Sequence, residues 1–111
     1  MGVFAKGDIV LFPFPYTDLS DRKLRPCLTI SDQMQKDIIL CQITSQDIKR
    51  DEFSVALNKD ETIDGSIHID SYIRCNMIFT ASQSQILKKL CSINQSKYQD
   101  VVHVITQIIK K

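Results

Sequence analysis

Residues 26–45 read Pro26-Cys27-Leu28-Thr29-Ile30-Ser31, a polar turn from Asp32 to Lys36, and then Asp37-Ile38-Ile39-Leu40-Cys41-Gln42-Ile43-Thr44-Ser45. Two short apolar runs bounded by polar residues are strands rather than helices. Upstream, Asp8-Ile9-Val10-Leu11-Phe12-Pro13-Phe14 opens after Gly7 as another strand and ends where Pro13 and Pro15 remove ladder donors. Tyr16 to Lys23, rich in charge and turn residues, is an exposed loop. Downstream, Phe53 to Leu57 alternates as a strand, Asn58 to Gly65 is a turn, Ser66 to Ile69 a short strand, and Ser71 to Ile78 a long one. The period then changes. Ser82-Gln83-Ser84-Gln85 and Ser96-Lys97-Tyr98-Gln99 both fit the S-x-x-Q capping box and predict helices over 84–90 and 97–111. In the second helix Tyr98, Val101, Val102, Ile105, Ile108 and Ile109 form one apolar stripe. The expectation is a mainly β fold with C-terminal helices packed on a small, strongly bent antiparallel sheet or barrel.

The chain has 111 residues, enough for one core, so residues 1–111 are expected to form a single domain. With 24% charged residues, 43% apolar residues, 3 Gly and 3 Pro, it is an ordinary folded protein rather than a disordered one. No apolar run approaches the roughly 20 residues of a membrane span, and the first residues lack signal-peptide features, so a cytoplasmic location without membrane contact is expected. The four cysteines include no C-x-x-C pair and read as reduced core thiols in preference to disulfides or zinc ligands.

Net charge is +1 but uneven. Residues 51–70 hold six acids and one base, whereas residues 71–111 hold six bases and one acid. A polyanion would approach some faces and be repelled from others, although solvated surface charge explains the same pattern.

Signatures of metallohydrolases, serine hydrolases and phosphate loops are absent. His68 and His103 stand alone and read as structural or surface residues before they read as a ligand or base. More informative are polar residues set against strands. Arg25 precedes the proline that starts a strand. Thr44 and Ser45 place hydroxyls at a strand end. Strict alternation puts Tyr72, Arg74, Asn76 and Ile78 on one face of the last strand and Ile73, Cys75 and Met77 in the core. Each is singly a surface residue or cap; together, guanidinium forks and hydroxyls match the oxygens of a phosphate.

Four blocks carry a resemblance: Gly7-Asp8-Ile9-Val10-Leu11, Arg25-Pro26-Cys27-Leu28-Thr29-Ile30-Ser31, Gln42-Ile43-Thr44-Ser45-Gln46 and Tyr72-Ile73-Arg74-Cys75-Asn76. In order and spacing they resemble the MazF/PemK toxins of bacterial type II toxin-antitoxin systems. The resemblance implies an SH3-like bent β-barrel of the MazF/PemK/CcdB type, acting as a homodimer. It also implies a sequence-specific endoribonuclease that uses no metal or other cofactor, cuts single-stranded RNA and is held inactive by a cognate antitoxin protein.

The mechanism implied is attack of a ribose 2′-hydroxyl on its own phosphate, leaving a 2′,3′-cyclic phosphate. By similarity, Arg25 stabilises the phosphorane with Thr44 as hydroxyl partner, and Arg74 serves as acid or phosphate clamp. Asn76 departs from the pattern, standing where PemK-type members carry a catalytic aspartate, and an amide takes no proton at neutral pH. The base is therefore unassigned, with Asp18 and Asp21 of the neighbouring loop as substitutes on closure. Tyr16, Lys23, Ser45 and Asn76 are the expected RNA contacts. Phe14 and Phe79 either stack on bases or pack in the core. The alternative is a member of the same fold that binds RNA, or a protein target as CcdB does, and cleaves nothing. A proline-peptide adaptor is disfavoured by 7% aromatic content and no tryptophan.

Overall fold

The computed structural model describes residues 4–15, 22–45 and 52–110. Among these, seven strands join one antiparallel sheet: β1 (Asp8–Pro15), β2 (Arg22–Thr29), β3 (Asp37–Thr44), β4 (Ser54–Leu57), β5 (Thr62–Ile63), β6 (Ser71–Ser82) and β7 (Lys88–Ile93). Their order across the sheet is β4-β6-β3-β2-β1-β7-β5, followed in the chain by the helix α1 (Gln95–Lys110). The first three strands are consecutive neighbours, as the turn between Asp32 and Lys36 requires.

Side chains alternate along a strand, and directly opposed residues of an antiparallel pair share a face. The register therefore defines two faces. On one, Ile9 opposes Leu28 and Leu28 opposes Cys41; with Ile43, Ile73 and Cys75 these pack against Tyr98 and Val101 of α1. Burying each of these leucine and isoleucine side chains contributes roughly 1.5–3 kcal/mol. On the other face, Val10, Phe12, Cys27, Ile38, Leu40 and Ala81 form a second cluster. Phe12, Phe14 and Phe79 stack there with ring centroids 5.2–5.5 Å apart, so Phe14 and Phe79 belong to the packing.

The long strand β6 crosses from one cluster to the other. Ile43 pairs with Ile73, but Cys41 pairs with Ile78, so two steps along β3 correspond to five along β6. Three extra residues are an odd number, and an odd insertion exchanges the two faces. Ile73 and Cys75 consequently lie under α1, whereas Phe79 and Ala81 join the opposite cluster. Simple alternation over 71–78 fails at this point: Met77, expected in the core, is 41% exposed, and Asn76 lies exposed in the stretch that has no partner on β3.

Three further expectations are corrected. The capping box at Ser82 and Gln85 forms, with the Ser82 amide donating to Gln85 Oε1 at 3.1 Å, but it closes only a 3-10 turn over Gln83–Gln85. Residues 84–90 are not a helix; Lys88–Ile93 is β7, which covers the outer edge of β1 that would otherwise stay open. The terminal helix begins at Gln95, earlier than Ser96 implied, because the Asn94 side chain accepts the Lys97 amide at 2.8 Å. Its stripe is buried as expected at Tyr98 and Val101, but Ile109 is 73% exposed. Finally, residues 66–69 are a bend rather than a strand, and the short strand falls at Thr62–Ile63.

Candidate active site: a cleft where two strands part

β2 begins at Arg22 and β3 ends at Thr44, yet the two pair only over Cys27–Thr29 and Leu40–Gln42. The ladder stops next to Pro26, which has no N–H to extend it. Beyond it, β2 stays with β1 down to Arg22 while β3 stays with β6 to Thr44. The gap between the parted strands is a cavity of about 410 Å³. Lys23, Arg25 and Pro26 line one wall, Ile43, Thr44 and Ser45 the other. Ile67, His68 and Ile69 close one end together with Ser71, and Leu90 of β7 adds to the apolar lining.

The register extends the polar surface beyond the cleft. Arg25 opposes Phe12 and has the parity of Cys27, which opposes Gln42; Thr44 opposes Tyr72. Arg25, Gln42, Thr44, Tyr72 and Arg74 therefore belong to one face of the sheet. Arg74 stands two residues along β6 from Tyr72, about 7 Å further. It is half-buried, and its Nε is buried without a hydrogen-bond partner among the described residues. A buried donor left unmet is costly and stands ready for an anionic acceptor.

The thiols that feel the charge of the two arginines, Cys27 and Cys41, stay protonated. Burial pushes Cys27 up to about 12 although the neighbouring Arg25 pulls it down. A hydrogen bond with the Cys75 thiol, reinforced by burial, raises Cys41, and the Cys41 thiol donates to the Arg74 carbonyl at 2.8 Å. The arginines thus meet no neutralising thiolate. All four cysteines are buried and unbridged, as their sequence context indicated.

The predicted site residues separate into three groups. Lys23, Arg25, Thr44 and Ser45 come together in the cleft. Lys23 does so from a strand, not from the loop in which sequence placed it. Arg74 shares their face without lining the cleft, and Asn76 is exposed in the β6 insertion and does not line it either. Tyr16, Asp18 and Asp21 lie outside the described residues. Among the described residues, no group of His, Cys, Asp and Glu is placed to hold a metal ion. Sequence reasoning missed His68 as a cleft residue. Its signal was Gly65, three positions earlier, whose φ of +137° marks a turn rather than a strand.

This architecture matches solved structures over nearly its whole length. An endoribonuclease in complex with its cognate antitoxin from Mycobacterial species superposes with a TM-score of 0.74 at 12% identity, covering 97% of this chain and 96% of that one. MazF in a MazE-MazF complex from Deinococcus radiodurans gives 0.75 at 16% identity, with the same coverage. The Mycobacterium tuberculosis toxin MazF-mt6 gives 0.68 at 11%, covering 91% and 96%. The fold is therefore MazF-like. The sequence profile of the PemK-like, MazF-like toxins of type II toxin-antitoxin systems matches residues 5–109, and the chain belongs to that family. No curated protein sequence matches it significantly. None of the described helices is long and apolar enough to cross a membrane.

Proposed function

We propose that this toxin is an endoribonuclease that cuts single-stranded RNA by 2′-hydroxyl attack, without a metal, in the cleft between β2 and β3. The observation that carries the reading is the placement of Arg25 and Thr44 on opposite walls of one cavity, on one sheet face. A phosphodiester seated there receives charge stabilisation from the guanidinium, and the threonine hydroxyl supplies an oriented dipole. Lys23 and Ser45 add a second cation and a second hydroxyl in the same cavity. The apolar side, Ile43, Ile67 and Leu90, suits the flat surface of a base. Arg74 holds the next phosphate along the face. Tyr16, beyond the described residues, and Asn76, at the β6 insertion, complete the RNA contacts. The acidic residues Asp60, Glu61 and Asp64 flank β5 on both sides and repel the backbone, which orients the strand.

The complexes formed by the structural neighbours support a cognate antitoxin as inhibitor, and a homodimer as the working unit follows from family membership. Sequence specificity arises from the apolar lining and the polar rim rather than from the phosphate contacts, which read no base. Incubation of the purified protein with a long single-stranded RNA in EDTA tests the proposal. Discrete fragments are expected; intact RNA retained on the protein would reassign the fold to binding without chemistry.

A further inference from the structure

The cleft supplies cations and hydroxyls, but 2′-hydroxyl attack also needs a group that takes a proton near neutral pH, and neither arginine does so. Imidazole is the side chain suited to it. We infer that His68 is the general base of this cleft, an assignment that rests on the ribonuclease reading above. His68 lines the same cavity as Arg25 and Thr44. Its backbone is held there under strain: φ is +61°, and the Ile69 amide donates to the Ile67 carbonyl across it. That pattern is the positive-φ γ-turn, the rarer and strained of the two forms.

The turn is anchored on both sides. Ile67 is buried in the core under α1, and the Ser71 hydroxyl, itself buried, donates to the Ile69 carbonyl at 2.9 Å. The His68 amide donates to the Ser66 hydroxyl at 3.3 Å. Gly65 permits the approach, because a Cβ there would stand 2.2 Å from the Leu90 carbonyl oxygen. Among the described non-glycine residues, positive φ occurs at Gln35, Asp64 and His68, and of these His68 alone lines the cleft; strained positions of this kind cluster at functional sites. The charged residues that line the cavity with the imidazole are Lys23 and Arg25 from β2; its own segment, β3 and β7 present Ile67, Ile69, Thr44, Ser45 and Leu90, all uncharged.

In the step assigned, an imidazole nitrogen takes the 2′-hydroxyl proton as the 2′-oxygen bonds to phosphorus. The bond from phosphorus to the 5′-oxygen breaks, that oxygen takes a proton from solvent, and the imidazolium returns its own to solvent. Arg25 and Thr44 hold the phosphorane meanwhile.

His68→Asn is the variant of choice, since asparagine tolerates positive φ while giving up the proton transfer. Single-turnover cleavage of single-stranded RNA across pH should fall about 100-fold and lose its rising limb. Added imidazole should restore part of the rate, and affinity for a 2′-deoxy oligonucleotide should be unchanged. Should the variant not fold, diethyl pyrocarbonate applied to the His103→Gln protein should abolish cleavage, with the 2′-deoxy oligonucleotide protecting. A His68→Asn rate within about threefold of wild type with the same pH profile, or cleavage that survives His68 modification, overturns the assignment and leaves the ribonuclease reading standing. A wild-type protein that cuts no RNA overturns both.

Discussion

Arg25 and Thr44 stand on opposite walls of one cleft, on strands that are hydrogen-bonded neighbours two residues further on and have already parted where these side chains emerge. The separation creates space for a phosphodiester without interrupting either strand's pairing on its outer side.

Arg25→Ala should lower single-turnover RNA cleavage by about 100- to 1,000-fold, the loss typical of removing a donor to a developing anion. Thr44→Ala should lower it by about tenfold or more. Both positions are only half-buried, so thermal unfolding midpoints should move by no more than about 3 °C. A large drop in midpoint with an unchanged rate per folded molecule would make these residues structural.

Arg74, set on the same face but outside the cleft, should act on binding more than on chemistry. Arg74→Ala should weaken binding of a non-cleavable oligonucleotide and reduce the slope of log affinity against log salt by about 0.7, the share of one single-strand phosphate. An unchanged slope would remove Arg74 from the RNA path.

The thiols should be inert in the folded protein. With Cys27 near 12, only about one molecule in 10⁴ carries that thiolate at pH 8. Burial also raises Cys91. Mass spectrometry after iodoacetamide treatment should find the described cysteines unmodified until denaturant is added, and rapid labelling of native protein would contradict the buried arrangement.

Lys97 of α1 pairs with Glu61 at 3.1 Å and donates to the Ala56 carbonyl at 3.0 Å, tying the helix to β4 and the following turn. Glu61 is held below its ordinary value of 4.5 by the Asn58 amide and then by Lys97. A depressed carboxylate stabilises the fold above its unfolded value and loses that contribution as pH falls through the lower folded value. The stability difference between wild type and Lys97→Met, measured by urea unfolding, should therefore be present at pH 7 and shrink below about pH 4. A difference that grows on acidification would contradict the pairing.

Much of this fold was legible from period alone. Apolar runs of five to nine residues located β1, β3 and β4, and the stripe through Tyr98 and Val101 located α1. The failures have physical causes. Ile86, Leu87 and Leu90 satisfy a helical spacing as readily as the edge of a strand, and what decides is the open edge of β1, which is not a local property. At β6 the alternation rule was sound on each side of the insertion, but three additional residues between Ile73 and Ile78 exchange the faces, and no single residue announces them. Arg25 and Thr44 were legible as polar residues at strand ends; that the strands part there depends on Pro26 and on pairing to two different neighbours.

The measurement that bears most directly on the cleft is an NMR titration of the isotope-labelled protein with a 2′-deoxy single-stranded oligonucleotide that binds and is not cut. Chemical-shift changes are predicted to concentrate at Lys23, Arg25, Thr44, Ser45 and His68. Changes gathered instead at the groove between α1 and the start of β4, around Phe53, His103 and Ile108, would place the RNA elsewhere and contradict the account.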